Sequence, residues 1–192
     1  MSPPSSHPST LVVFGATGNQ GGSVIKTVLN DPVLSKKSKL RAISRDASKP
    51  QMLAFAKQGV EVCVSMSADI EFAQAKAVVD AAKAIGVQHL IFSSLINVSN
   101  ESHGRLVHVS HFDGKARVEQ YIRDSGLAAT FVLPGLFMSQ FVDMIRKNED
   151  GSFMLALPVD GDKARIPLHD VTGDTGTSDK VSFTMFQSNT QA

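Results

Sequence analysis

Glycines recur at every third position in the run Val12-Val13-Phe14-Gly15-Ala16-Thr17-Gly18-Asn19-Gln20-Gly21-Gly22, a spacing that can present bare main-chain amides to an anion. Gly15 lets the chain turn sharply off an apolar run, because no Cβ is there to clash. Gly18 lets the backbone lie against a diphosphate, and Gly21 lets a helix begin close to a sheet. The first turn of that helix offers unbonded N–H groups and the positive end of its dipole. A strand pattern precedes the loop and an amphipathic segment follows it, which is the context a dinucleotide site needs. The expected cradle is Gly15, Ala16, Thr17, Gly18, Asn19, Gln20 and Gly21, and the expected ligand is a nicotinamide dinucleotide.

A second strand pattern ends in Ser44-Arg45-Asp46, with Lys49 close behind. A guanidinium fork at Arg45 and a second cation at Lys49 suit a 2′-phosphate, so NADP (NADP⁺ or NADPH) is the expected form of the cofactor. Asp46 argues the other way, since it could accept from ribose hydroxyls or pair with Arg45. A solvated loop of mixed charge would show the same residues.

His111 and Lys115 stand four apart and share one face of a helix. An imidazole there could donate a proton. Ser93 and Ser94 could reach the same place from the carboxyl end of a strand. His103, His108 and His111 have no carboxylate or thiolate at supporting spacing, so no metal is expected. Phe131, Leu136, Phe137, Met138 and Phe141 could line a nicotinamide pocket or simply fill a core.

Positioning these residues requires an α/β, doubly wound, Rossmann-type and mostly parallel sheet. Strand one is Leu11 to Phe14, and a helix follows from Gln20 to Leu29, burying Val24, Ile25, Val28 and Leu29 and stopped by Asn30-Asp31-Pro32. Strand two is Leu40 to Ser44. A helix then starts at Ser48 or Pro50 and ends at Gly59, before a strand at Val60–Val64. The pattern predicts a helix from Ile70 to Ile85 with Ile70, Ala73, Ala77, Val78, Ala81 and Ile85 on its buried stripe. His89 to Ser94 is a strand, His111 to Asp124 a helix and Ala129 to Leu133 a strand. Residues Gly135 to Arg146 hold a further helix, and Phe153 to Leu168 a hairpin turning at Asp160-Gly161-Asp162. Residues 1–9 read as a flexible lead-in, 10–174 as the nucleotide-binding domain and 175–192 as a tail without structure.

The 192 residues suit one domain. Nineteen basic and eighteen acidic side chains nearly cancel, which argues against direct nucleic-acid binding. The single cysteine, Cys63, excludes an internal disulfide and fits a reducing compartment. No apolar run is long enough to span a membrane, and no signal-peptide pattern opens the chain. A cytoplasmic location, with the nucleus as an alternative, is therefore expected.

In the stretches Val13 to Gly22, Leu90 to Leu95, His111 to Lys115, Ala129 to Gly135 and Ile166 to Val171, the chain resembles the NmrA-like family. Its members are atypical relatives of the extended short-chain dehydrogenases/reductases. The resemblance implies an NADP(H)-binding fold in which some members are oxidoreductases acting on small carbonyl compounds. Others sense cofactor state and regulate a protein partner such as a transcription factor. Short-chain reductases carry Tyr and Lys at the spacing of His111 and Lys115, so the resemblance makes Lys115 a ribose contact and His111 a candidate proton donor. Tyr121, the one tyrosine, lies off that face.

The resemblance also marks two departures. Between Val60 and Asp69 the chain is several tens of residues shorter than such proteins, and the lost piece would hold a helix and strand four. After Asp174 the rest of the substrate lobe is missing, leaving that lobe reduced. In the family order 3-2-1-4-5-6, strand four lies beside strand one. Three or four buried β-branched residues there would contribute about 5–10 kcal/mol, against a net stability of about 5–15 kcal/mol. The expectation is that Val60–Val64, extendable to Met66, closes the gap by pairing with strand one, giving the order 2-1-3-4-5.

Overall fold

The computed structural model describes residues 8–64, 71–155, 157, 159–160 and 163–180. Its first unit is a βαβαβ run. Strand β1 (Ser9–Phe14) leads into helix α1 (Asn19–Asn30), the short α2 (Leu34–Lys37), β2 (Ser38–Ser44), α3 (Pro50–Lys57) and β3 (Glu61–Val64). Helix α1 buries Ile25 and Val28 and brings Gly22 and Ser23 against its neighbours. Asp31 ends it, and the Asp31 carboxylate then caps α2 by accepting from the amides of Val33 and Leu34. Helix α3 has Pro50 at its first position, where no amide is needed. It is followed by Gly59 at φ +84°, a left-handed backbone suited to glycine. Val13, Ile25, Val28, Leu34, Leu40, Ala42, Met52, Phe55 and Val60 close on one another as the core of this unit.

The position of β3 corrects the sequence expectation. The strand does not pair with β1; it pairs in parallel with β2, on the far side from β1. The reason lies in local chain geometry. A crossover through α3 sets the next strand beside the one it left, with the right hand such units prefer. There Val60 and Val62 cover the core under α3, and Arg41, opposite Glu61 in the register, donates to its carboxylate at 3.0 Å. Reaching the other edge of β1 would forfeit those contacts. Among the described residues no strand pairs with that edge, and Val12 and Phe14 are 40% and 50% exposed. Met66, to which the strand was expected to extend, lies outside the described residues.

The second unit is built from α4 (Glu71–Ala84), β4 (Leu90–Ser93), α5 (Val98–Glu101), α6 (Ser110–Ser125) and β5 (Ala129–Val132). Strands β4 and β5 pair in parallel. The buried stripe of α4 differs from the one expected. Val79 and Ala82 are buried, with Phe72 and Ala75 beside them, whereas Ala73, Ala77 and Ala81 face outward and Ile85 is 79% exposed. The larger side chains win because they fill the space against Val118, Tyr121 and Ile122 of α6, which alanine cannot. Ile70 lies outside the described residues.

Beyond β5 the elements are short: β6 (Leu136–Phe137), α7 (Gln140–Met144), β7 (Ile145–Lys147), β8 (Phe153–Leu155) and β9 (Leu168–His169). The hairpin forms between β7 and β8. It turns at Asn148–Ser152, where Asp150 accepts from the amide and hydroxyl of Ser152. The strand at Phe153 thus pairs with the chain before it rather than with the chain after Asp160. The Lys163 and Ala164 amides do donate to Asp160 O at 3.2 and 2.8 Å, while Gly161 and Asp162 of the expected turn lie outside the described residues. Strand β9 pairs with β6, and a Cβ on Gly135 would strike the Pro167 carbonyl. The expected unstructured tail is corrected in its first part, since residues 174–180 are helical. This helix is held because the Ser23 hydroxyl donates to Thr172 O at 2.7 Å and accepts from the Gly176 amide at 3.1 Å, while Lys180 pairs with Asp31 at 2.6 Å.

Candidate functional site

The glycine loop sits where β1 ends and α1 begins. Gly15 has φ +64°, and the Gly18 amide donates back to Gly15 O at 2.8 Å. A Cβ on Gly21 would collide with the Gly15 carbonyl, and one on Gly18 would lie 3.2 Å from the same oxygen. These tight approaches hold the loop low against the first turn of α1. No side chain caps that helix, so its first turn has no side-chain acceptor for its amides. The loop thus reaches the start of α1 with no Cβ at Gly15, Gly18 or Gly21, beside a helix end whose dipole favours an anion.

The loop is braced from the first unit. The Ala16 amide donates to Ile43 O at 3.1 Å, Gln51 Nε2 donates to Ala16 O at 3.3 Å, and Thr17 Oγ1 lies 3.4 Å from Ser44 Oγ. Gln51 and Ser44 were not singled out from sequence, because nothing in their local pattern marks them; only the approach of α3 and β2 to the loop does. Arg45 and Lys49 are exposed at the carboxyl end of β2. Asp46 is occupied within its own loop: its Oδ1 accepts from the Ser48 hydroxyl at 2.6 Å and the Ser48 amide at 2.8 Å. Those bonds hold its carboxyl below the ordinary carboxylate range. The Asp-x-Ser spacing was a legible turn signal for this.

Across the groove, Ser93 accepts from Gln20 Nε2 at 3.0 Å. Lys115 Nζ lies 3.5 Å from Ser93 O and 5.6 Å from the centre of the Phe92 ring. His111 is exposed one turn earlier, its ring 4.8 Å from that of Phe112. The structure therefore brings Gln20, Ser93 and Lys115 together. Ser94 is turned away and fully buried. Asp113 fixes the loop after β4 by accepting from the Ser99 hydroxyl at 2.6 Å and the Ser99 amide at 3.2 Å. Its carboxyl lies below the usual range for that reason. Tyr121 points elsewhere, donating to Asp80 on α4 at 2.5 Å.

The aromatic and aliphatic candidates for a pocket are dispersed. Phe131 packs in the second core under the Arg123 guanidinium, Phe137 lies against the His169 ring, and Met138 is half-exposed. His103 and His108 are exposed, and no group of three or more candidate metal ligands occurs among the described residues.

The family model for the NmrA-like family matches residues 7–69 and 63–185. The chain belongs to the NmrA-like family. The two matched pieces overlap at residues 63–69, inside the stretch Val60–Asp69 where the resemblance implied a shortened chain. The curated oxidoreductase malD of Malbranchea aurantiaca, an NmrA-like family domain-containing protein, is 30% identical over 211 residues, covering 86% of this chain and 61% of its own. An alignment of 211 positions exceeds the 192 residues of the chain, so it must open gaps in this chain. NmrA-like family domain-containing protein 1 of Rattus norvegicus is 31% identical over 113 residues, 59% of this chain and 51% of its own. Among solved structures, NmrA, a negative transcriptional regulator crystallised in complex with NADP, superposes with a TM-score of 0.77 at 23% identity. That match covers 93% of this chain and 63% of NmrA. The likeness establishes the α/β Rossmann-type fold, and the chain spans about three-fifths of the length of these longer relatives. No helix among the described residues is long and apolar enough to cross a membrane.

Proposed function

We propose that this protein binds NADP(H) and is of oxidoreductase descent. The diphosphate would lie against the loop Gly15–Gly21, on amides other than those of Ala16 and Gly18, which bond within the protein. The 2′-phosphate would lie against Arg45 and Lys49, and the nicotinamide ribose near Lys115 and Ser93. The observation that carries this reading is the loop at Gly15–Gly21, where tight backbone packing excludes side chains and α1 begins uncapped. Two exposed cations, Arg45 and Lys49, against the single carboxylate of Asp46, whose Oδ1 is engaged by Ser48, support NADP over NAD. When bound, the nicotinamide supplies hydride exchange. The chain's own contribution would be orientation by Lys115 and a proton at the His111 imidazole, directed to a small carbonyl substrate.

A second reading is a cofactor-state sensor that regulates a protein partner. It is favoured by one observation: the chain's single tyrosine is bonded to Asp80 on α4, so no phenol stands ready to protonate a reduced carbonyl. Calorimetric titration with NADPH and NAD⁺ tests the shared premise, and binding of neither at millimolar concentration refutes both readings. NADPH oxidation with a panel of small carbonyls then separates them. Substrate-dependent oxidation abolished by Lys115→Ala identifies an enzyme. Unchanged NADPH, with partner affinity differing between NADP⁺ and NADPH, identifies the sensor.

A further inference from the structure

The described hydrophobic interior is divided in two. One core surrounds Ile25, Leu40, Met52 and Phe55, and the other is Val79, Val118 and Ile122 with their half-buried neighbours. Among the described residues no strand joins β1 to β4. The side-chain bond that crosses between the glycine loop and β4 is Gln20 to Ser93, at 3.0 Å. Other bonds from α1, through Ser23 and Asp31, go to the segment 172–180 rather than to β4 or β5.

The proposed cofactor site straddles the same divide. Gly15–Gly21, Arg45 and Lys49 belong to the first unit; Ser93, His111 and Lys115 belong to the second. Resting on the cofactor reading above, we propose that the dinucleotide also has a structural role, acting as the tie between the two units and coupling their stabilities where the missing strand leaves them apart. Units with separate cores open with separate free energies. A ligand bound to both is lost when either opens, so it stabilises the two together. A ligand that reaches only the glycine loop and Arg45 can protect only the first unit.

Hydrogen exchange on the whole chain distinguishes these cases, using NADPH and 2′,5′-ADP at equal saturation set by calorimetry. Both ligands should slow exchange in α1 and α3. NADPH alone should slow it around Val79 and from Val118 to Ile122, by about tenfold or more if the coupling reaches about 1.4 kcal/mol. In Lys115→Ala, NADPH should lose that reach and behave like 2′,5′-ADP. Equal protection of the second unit by 2′,5′-ADP would overturn the proposal, because the units would already be coupled through the protein. NADPH that binds yet leaves the second unit's exchange unchanged would overturn it too, while sparing the cofactor reading. Failure of NADPH to bind refutes the cofactor reading itself and this inference with it.

Discussion

The unit that carries the glycine loop and the unit that carries Lys115 are built to different depths. In the first, β2 alternates cleanly between buried and less buried positions and lies between two strands. In the second, every residue of β4 and β5 is only half-buried, and the two strands have no third partner among the described residues. Both come from the same kind of alternating βα pattern. In the strand order that the family resemblance implies, a central strand borders β1 on one side and β4 on the other; among the described residues neither strand has that partner. The first unit keeps a complete βαβαβ core without it, whereas the second retains one helix pair over a two-stranded ribbon.

This contrast can be broken most forcefully in the second core. Ile122 is fully buried there, so Ile122→Ala should cost about 2–5 kcal/mol. Hydrogen exchange should show that loss in α4 and α6 while α1 and α3 stay protected. Equal loosening of both units would show that they form one cooperative core. Gly21→Val should cost about 1–3 kcal/mol by overpacking and act mainly on the first unit, because its side chain meets the backbone of Phe14 and Gly15. Thermal melts together with NADPH calorimetry check this, and retained NADPH affinity would show that the loop is not the cradle.

Arg45→Ala should weaken NADP⁺ binding by about tenfold or somewhat more, the scale of one charged hydrogen bond, with little change for NAD⁺. Equal losses for both would refute the 2′-phosphate assignment. The smallest effect is expected at low pH. The bond from Lys180, with the Leu34 and Val33 amides, holds the Asp31 carboxyl down to about 2 from an ordinary 3.8. A depressed folded value means that the contribution is complete above the unfolded value and is lost as pH falls from about 4 towards 2. An NMR titration should show residues 174–180 releasing α1 over that interval. Lys180→Ala should raise the Asp31 midpoint, and an unchanged midpoint would exclude the pair as its cause.

Much of the candidate site's backbone geometry was legible because it depends on local backbone rules. Gly15 needs a left-handed conformation and Gly21 needs close approach, and both requirements are written in the residue type. The stripe of α4 was not legible, since a row of alanines and a row holding Phe72 and Val79 have similar periodicity. Only the presence of α6 decides which one is covered. The helix at 174–180 was missed because its polar sequence gives a weak pattern, and it is held by Ser23 and Asp31, some 150 residues earlier in the chain.

By itself the amino-acid order determined the strand–loop–helix unit, the charges at the end of β2 and the pairing of His111 with Lys115 on one helical face. These are set by steric limits and helix geometry acting over a few residues. The tertiary structure decided where β3 pairs and, among the described residues, that the edge of β1 stays without a strand and that the interior is split. Those outcomes rest on competition between distant contacts. The crossover through α3 keeps Val60, Val62 and the Arg41–Glu61 pair beside β2, and no local signal reports the cost of leaving the other edge of β1 open.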